Sequence, residues 1–209
     1  MAVRGFSQKD SLAIGDRYWE DQLYLTITYN VLNNQPNSAD SNGFSYGISA
    51  GYIKDIPLSP QGKFAIGIGV GYNYDSYNHG LIVSDSDIQV TNDEVLNSKF
   101  KTHTIEFPIQ FRWRTSDAVT YSFWRVYSGM KLSYNIYNKF LYDFNSQQVV
   151  VDNVDVFNKF QAGFEMSLGY GAFNFYVYYG FTPLYKNAIL NQQRVKTTNA
   201  KFGLIFYLL

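Results

Sequence analysis

The sequence predicts an all-β fold, an eight-stranded antiparallel up-and-down transmembrane β-barrel. Three observations predict it. Side-chain character alternates with period two along eight successive segments, which is the spacing of a strand and not of a helix. Long polar connections alternate with short ones, as they do when every second loop lies at the same end. The central charges of each segment fall on the face that also carries the glycines, leaving the bulky face uncharged.

The elements follow in order. LYLTITYNV sets Leu23, Leu25, Ile27, Tyr29 and Val31 against Tyr24, Thr26, Thr28 and Asn30. FSYGISAGY sets Phe44, Tyr46, Ile48 and Tyr52 against Ser45, Gly47, Ser49 and Gly51. KFAIGIGVGYNYDSY is the sharpest case, with Phe64, Ile66, Ile68, Val70, Tyr72 and Tyr74 opposite Ala65, Gly67, Gly69, Gly71, Asn73 and Asp75. Its glycines recur strictly every second residue and no helical pattern follows, so it is not a G-x-G-x-x-G nucleotide loop. TIEFPIQFRWR places Ile105, Phe107, Ile109, Phe111 and Trp113 opposite Glu106, Gln110, Arg112 and Arg114. FWRVYSGMKLSYNI places Trp124, Val126, Met130, Leu132, Tyr134 and Ile136 opposite Arg125, Tyr127, Gly129, Lys131 and Asn135. KFQAGFEMSLGY and FNFYVYYGF continue the alternation, the first with Lys159, Gly163 and Glu165 on its polar face. KFGLIFYLL closes the series with Lys201 and Gly203 opposite Phe202, Leu204 and Phe206.

Connections near 33–42, 77–98, 137–157 and 183–196 are long, and those near DIPLSPQG, TSDAVT and Gly171 are short. An even strand number lets the sheet close and removes its edges. Residues 1–17 are expected to be an N-terminal periplasmic segment, with the barrel in 18–209. No run of about 18 apolar residues offers a transmembrane helix.

The direction of the faces follows from size. An eight-stranded barrel has an interior only just wide enough for side chains to fill, and the rings here are too many and too large for it. Glycine, serine and the long charged residues therefore belong inside, and the bulky face meets lipid. A cation on the lipid face at mid-depth costs roughly 2–4 kcal/mol, which accounts for its absence there. Glu106, Arg112, Arg125, Lys131, Lys159, Glu165 and Lys201 are expected to form an ion-pair network in the lumen. Tyr52, Tyr72, Tyr74, Trp113, Trp124, Tyr170 and Phe173 are expected to form aromatic girdles at the membrane surfaces.

THTIEFPIQFRWR, FWRVYSGMKLSYNI, FEMSLGYGAFNFYVYYGFTPLYK and KFGLIFYLL together resemble the PorT-like outer-membrane proteins of Bacteroidota. The resemblance extends from about Asp16 onward. It implies an integral outer-membrane barrel and, by its founding members, a link to type IX secretion.

Other chemistries find little support. The chain has 209 residues, no cysteine, and 17 acidic against 17 basic residues. That balance argues against nucleic-acid binding, and the missing cysteines exclude disulfide scaffolds and thiolate metal sites. His79 and His103 lack metal-ligand spacing, and no Gly-x-Ser-x-Gly elbow or Ser/His/Asp set is present. Glu106 and Glu165 could be an acid/base pair, but basic neighbours in a closed lumen favour structural ion pairs. SDSDIQVTNDE, residues 84–94, is acidic without the glycine and spacing of an EF-hand loop.

The expected function is therefore a structural or accessory subunit of an outer-membrane secretion or assembly complex, not an open pore and not an enzyme, with no cofactor. Outer-membrane lipid, lipopolysaccharide and a larger protein complex are its expected partners, with long loops extracellular and both termini periplasmic. The alternative is a small-molecule or lipid-binding barrel with a loop-capped lumen.

Overall fold

The computed structural model describes residues 21–35, 43–59, 62–78, 81–83, 88–90, 96–115, 124–144, 147–186, 189–190 and 193–208. The N-terminal segment 1–17, His79 and most of the acidic stretch 84–94 lie outside them. In chain order the strands are β1 (Gln22–Asn33), β2 (Tyr46–Pro57), β3 (Phe64–Asn78), β4 (Leu81–Val83) and β5 (Ile88–Val90). They continue with β6 (Leu96–Arg114), β7 (Trp124–Phe144), β8 (Gln147–Asp152) and β9 (Phe160–Tyr170). The last are β10 (Phe173–Gly180), β11 (Ile189–Leu190), β12 (Gln193–Arg194) and β13 (Thr198–Leu208).

Strands β1, β2, β3, β6, β7, β9, β10 and β13 form a closed antiparallel barrel in which each pairs with its neighbours in sequence. Closure comes from β1 against β13, in register from Leu23↔Leu208 to Asn33↔Thr198. Both ends of the barrel chain thus lie at the short-turn end. Gly171, at φ +59°, makes the turn between β9 and β10, a left-handed position that glycine occupies without strain.

The alternation read from the sequence is the alternation of the wall. Leu23, Ile27, Ile48, Ile68, Val70, Ile109, Leu132 and Val177 are exposed on the outside, while Thr26, Asn30, Ser49, Asn73, Glu106 and Asn174 are buried inside. The glycines make room for inward side chains. A methyl on Gly71 would run into the Tyr24 hydroxyl, and one on Gly67 would meet the Arg112 side chain. The third strand is glycine-rich because two large polar side chains from other strands lie across it.

The aromatic residues separate by depth. Around the long-loop end, Tyr29, Phe44, Tyr46, Tyr74, His103 and Tyr137 follow one another across β1, β2, β3, β6 and β7 with ring centroids 5.1–6.2 Å apart. Tyr72 joins them through its hydroxyl, hydrogen-bonded to His103 Nδ1. At the short-turn end, Phe64 lies 6.0 Å from Phe111, and Trp124 lies 5.7 Å from Tyr170. Tyr52, Trp113 and Phe173 are exposed at that same end. Trp113 and His103 are ten residues apart on one outward row. At about 3.3 Å per residue and a tilt near 40°, that is a band roughly 25 Å tall, the height of a bilayer's apolar core.

Two connections differ from expectation. The stretch 137–157 is not a loop throughout, because β7 runs on to Phe144 and β8 returns beside it, from Phe144↔Gln147 to Lys139↔Asp152. The stretch 77–98 holds the β4–β5 hairpin and the first residues of β6. A register shift hid the longer strand. His103 pairs with Tyr137 but Thr104 with Asn135, so Ile136 is an inserted residue, and the parity of β7 changes there. Beyond it Asn138 and Phe140 point inward and are buried.

Ile68→Lys is expected to lower the fraction of barrel that resists SDS unfolding, at a cost of roughly 2–4 kcal/mol, whereas Ile68→Leu is expected to be nearly silent. Heat-modifiability on gels reads both, and equal tolerance of the two would place Ile68 away from lipid.

Candidate functional site

Three polar layers and an apolar plug fill the barrel from the short-turn end upward. The lowest is a cage around Asp55. Arg112 Nη1 pairs with its Oδ1, and Arg114 Nη1 donates to its Oδ2 at 2.5 Å. Arg114 Nε also donates to the Gly62 carbonyl at 2.7 Å, tying the cage to the turn before β3. The Arg112 guanidinium stacks 4.5 Å from the Tyr127 ring, and that of Arg125 lies 5.7 Å from the Tyr207 ring. Tyr and Arg together line this end because flat cations can lie on flat rings where no water fits.

Lys131 centres the middle layer. Its ammonium lies 3.2 Å from Glu106 Oε2 and 3.1 Å from Glu165 Oε2, and it donates to the Tyr176 hydroxyl at 2.8 Å. Tyr24 donates to Glu106 Oε1 at 2.7 Å, Tyr176 to Glu165 Oε2 at 3.0 Å, and Gln110 Nε2 to Glu165 Oε1 at 2.7 Å. Gln110 in turn accepts from Arg112 Nε at 3.1 Å, which joins this layer to the one below. One cation shared by two carboxylates is stable here because phenols and an amide satisfy their remaining oxygens.

The upper polar layer holds Asp75. Lys201 Nζ contacts its two oxygens at 2.9 and 2.7 Å. Asn30 and Asn73 each donate an amide hydrogen to it, at 2.8 and 2.7 Å. Above lies an apolar plug of Tyr77, Phe100, Phe140, Val154, Phe157, Leu184, Tyr185 and Val195, with Phe100 stacked 4.2 Å from Phe140. Burial in that plug holds the Tyr185 phenol above its usual pKa. Between plug and Lys131 remains a cavity of about 20 Å³, lined in part by Asn73, Asp75, Glu106, Tyr178 and Lys201. That is space for about one water molecule.

Of the residues expected in the lumen, Glu106, Arg112, Arg125, Lys131, Glu165 and Lys201 are buried inside the barrel. Lys159 is not. It precedes β9, where the pairing of β7 with β9 ends at Tyr134↔Phe160, and its side chain is exposed. The ladder of β7 with β9 ends there, one backbone hydrogen bond from Asn135 to Lys159 past its last pair, and beyond it an inward parity no longer means burial. Arg112 pairs with Asp55 and not with either glutamate. Asp55 escaped the sequence reading because it stands beside Pro57 in a stretch that reads as a turn, and Asp75 because its strand was read for its glycines. The plug escaped too. Val154, Phe157 and Leu184 lie in connections without period two, and nothing in their spacing says that they fold back into the mouth. Among the described residues, no group of three or more His, Asp or Glu side chains is placed to hold a metal ion.

The chain belongs to the outer membrane protein beta-barrel domain family, which matches residues 6–186. It is an integral outer-membrane β-barrel protein. Ail, the attachment invasion locus protein of Yersinia pestis, is similar at 10% identity and a TM-score of 0.41, over 90% of this chain and 96% of that one. A triple mutant of the Rhodopseudomonas blastica porin aligns with 91% of this chain and 100% of its own, at 7% identity and a TM-score of 0.24. No curated protein matches the chain.

Lys131→Met should be among the costliest lumen substitutions, since it leaves Glu106 and Glu165 buried without their cation. A loss of roughly 3–5 kcal/mol is expected in urea unfolding followed by tryptophan fluorescence. Adding Glu106→Gln and Glu165→Gln to Lys131→Met should recover most of that loss. A triple variant no more stable than the single one would show that the ion pairs are not what holds this layer.

Proposed function

We propose that this barrel is a non-conducting accessory subunit of a larger outer-membrane secretion or assembly complex, working through its long-loop end. The observation that carries this reading is the filled lumen. Polar layers and an apolar plug occupy the interior, and the cavity between Lys131 and the plug measures about 20 Å³. Small-molecule sites are typically about 300–1,000 Å³, so this cavity is far too small to serve the ligand-binding alternative. A barrel whose interior is occupied has its outer wall, rim and loops left for function.

The rim supports the same reading. Strand β7 extends ten residues past its last pair with β9 and carries β8 with it, so a three-stranded ridge of β6, β7 and β8 rises on one side. Ten residues of strand are about 33 Å long. Val150 is exposed on β8. A long, well-paired ridge is a more rigid docking element than a loop, because its backbone is already ordered before a partner arrives. The resemblance to PorT-like proteins favours a secretion machine as that partner. The long loops are then extracellular, with Gln22 and Leu208 at the periplasmic side.

Planar-bilayer recording of the purified barrel should show no steady open conductance. In native membranes, blue-native electrophoresis should place the chain in a large complex, and a photo-crosslinker at Val150 should join it to one defined outer-membrane protein. A stable large conductance would overturn the filled-lumen reading. A free monomer in gentle detergent with no Val150 adduct would overturn the accessory role.

A further inference from the structure

We propose that the outward face of the β6–β7 ridge binds the phosphorylated sugar headgroup of an outer-leaflet glycolipid, the two lysines Lys101 and Lys139 holding the phosphate. The placement in the outer leaflet rests on the orientation read above.

The outward row of β6 is ordered by depth. Trp113, Phe111, Ile109, Phe107 and Ile105 span the apolar band, His103 lies in the upper aromatic ring, and Lys101 and Lys99 come next. One pleat separates His103 from Lys101, about 7 Å along the strand. That step leads from the level of the tyrosine rings to the level of headgroup phosphates. At this end the outward residues of β1, β2 with the residue before it, and β10 include Tyr29, Val31, Phe44, Tyr46 and Tyr179, with no cation among them. Lys159 before β9 and Lys196 before β13 are also exposed at this end, but on β6 and β7 two lysines stand directly opposite one another on paired strands.

Register sharpens the site. Lys101 stands directly opposite Lys139, and Lys99 stands opposite Leu141, diagonal to Lys139. Like charges directly opposite on paired strands destabilise a sheet, by up to about 1 kcal/mol, unless an anion lies between them. The protein supplies part of that anion, from Asp152 and from the Asp143 carboxylate that shares a cleft with Lys99 and Lys101. Asp152 reaches Lys139 at 4.0 Å, in a pair that is half in solvent, and its Oδ1 also accepts from the Tyr137 hydroxyl at 2.6 Å. An exposed pair of this length is worth little and leaves the ammonium available.

Beside the lysines is an open cleft of about 360 Å³ lined by Lys99, Lys101, Leu141, Asp143 and Gln148. Its composition fits a phosphorylated sugar better than a bare phosphate. Lys99 and Lys101 line the cleft, and Lys139 stands just outside its lining, across from Lys101. The phosphate would thus bridge Lys101 and Lys139 at the cleft's edge, with the Asp143 carboxylate and Gln148 amide placed toward hydroxyl and amide groups on a sugar ring. Below it the wall is apolar, with Ile105 and Phe107 along β6 and Leu132 and Tyr134 along β7, where acyl chains would lie. Headgroup, interface and hydrocarbon positions are thus stacked on one pair of strands.

The test uses the full chain refolded in neutral detergent and native mass spectrometry with two probes, bis-phosphorylated lipid A and the same lipid with both phosphates removed. The phosphorylated lipid should bind and the dephosphorylated one should bind markedly less. K101Q/K139Q should weaken binding about twenty- to thirtyfold, near fivefold for each lysine beside an anionic headgroup. K54Q, at the short-turn end, should bind as the parent does, and heat-modifiability confirms that each variant is folded. Millimolar inorganic phosphate should leave the lipid bound. Equal binding of the two lipids, parental binding by K101Q/K139Q, an equal loss in K54Q, or displacement by inorganic phosphate would each overturn the proposal. Orientation is read separately, by labelling V150C in intact cells with an impermeant maleimide, which the absence of native cysteine makes unambiguous. Labelling only after lysis would overturn the outward orientation and with it the outer-leaflet placement, while the purified-protein arms would still decide whether the lysines bind the phosphorylated lipid.

Discussion

Everything inside this barrel depends on Lys131 being shared by Glu106 and Glu165. The two glutamates come from β6 and β9, the lysine from β7 between them, and the phenols that complete the cluster from β1 and β10. Five of the eight barrel strands are thereby tied through one ammonium. The pairing is obligatory, because a buried charge without its partner costs several kcal/mol and the cavity beside it has room for about one water to relieve it. The wall is shaped around this cluster. Gly71 carries no side chain because the Tyr24 hydroxyl, held by Glu106, occupies the place a methyl would take.

The two ends of the barrel close by different physics. At the short-turn end arginines fold back on Asp55 and on aromatic faces, and Arg114 reaches a turn carbonyl. At the long-loop end the seal is apolar, made by inward residues of β3, β6 and β7 and by connections that fold into the mouth. The inserted residue at Ile136 makes the second seal possible. Without it the strand would hold one parity, and Phe140 would face outward with Ile136 instead of stacking on Phe100. One irregularity in one strand therefore joins a polar lumen to a hydrophobic lid.

The barrel was legible in the sequence because period two is a property of single strands and needs no knowledge of what lies opposite. Ile68 and Gly69 declare their faces by themselves. Six of the seven expected lumen charges lie buried within the barrel for the same reason. What pairs with what was not legible, since Arg112 chooses Asp55 over Glu165 through the tilt and register of β2, β3 and β6. Lys159 went astray because parity says inside or outside only where a neighbouring strand continues the wall. The ridge was hidden by the register shift, which makes two successive residues, Ile136 and Tyr137, share the outside.

The filled interior has a consequence for where specificity can reside. Each lumen charge answers to several strands at once, so a change there is felt as a loss of fold before it is felt as a change of ligand. Residues on the outer wall and ridge answer to one or two neighbours, and a lysine at 101 or 139 can be exchanged with little effect on the barrel. Binding is therefore freest to vary where the barrel meets lipid and rises above it. Strands β6 and β7 have both surfaces, an inner one fixed by Glu106 and Lys131 and an outer one bearing Lys101 and Lys139 at the height of the headgroups. The inserted Ile136 shifts their register by one residue above that inner pairing, and the shifted register is what sets the outer lysines side by side.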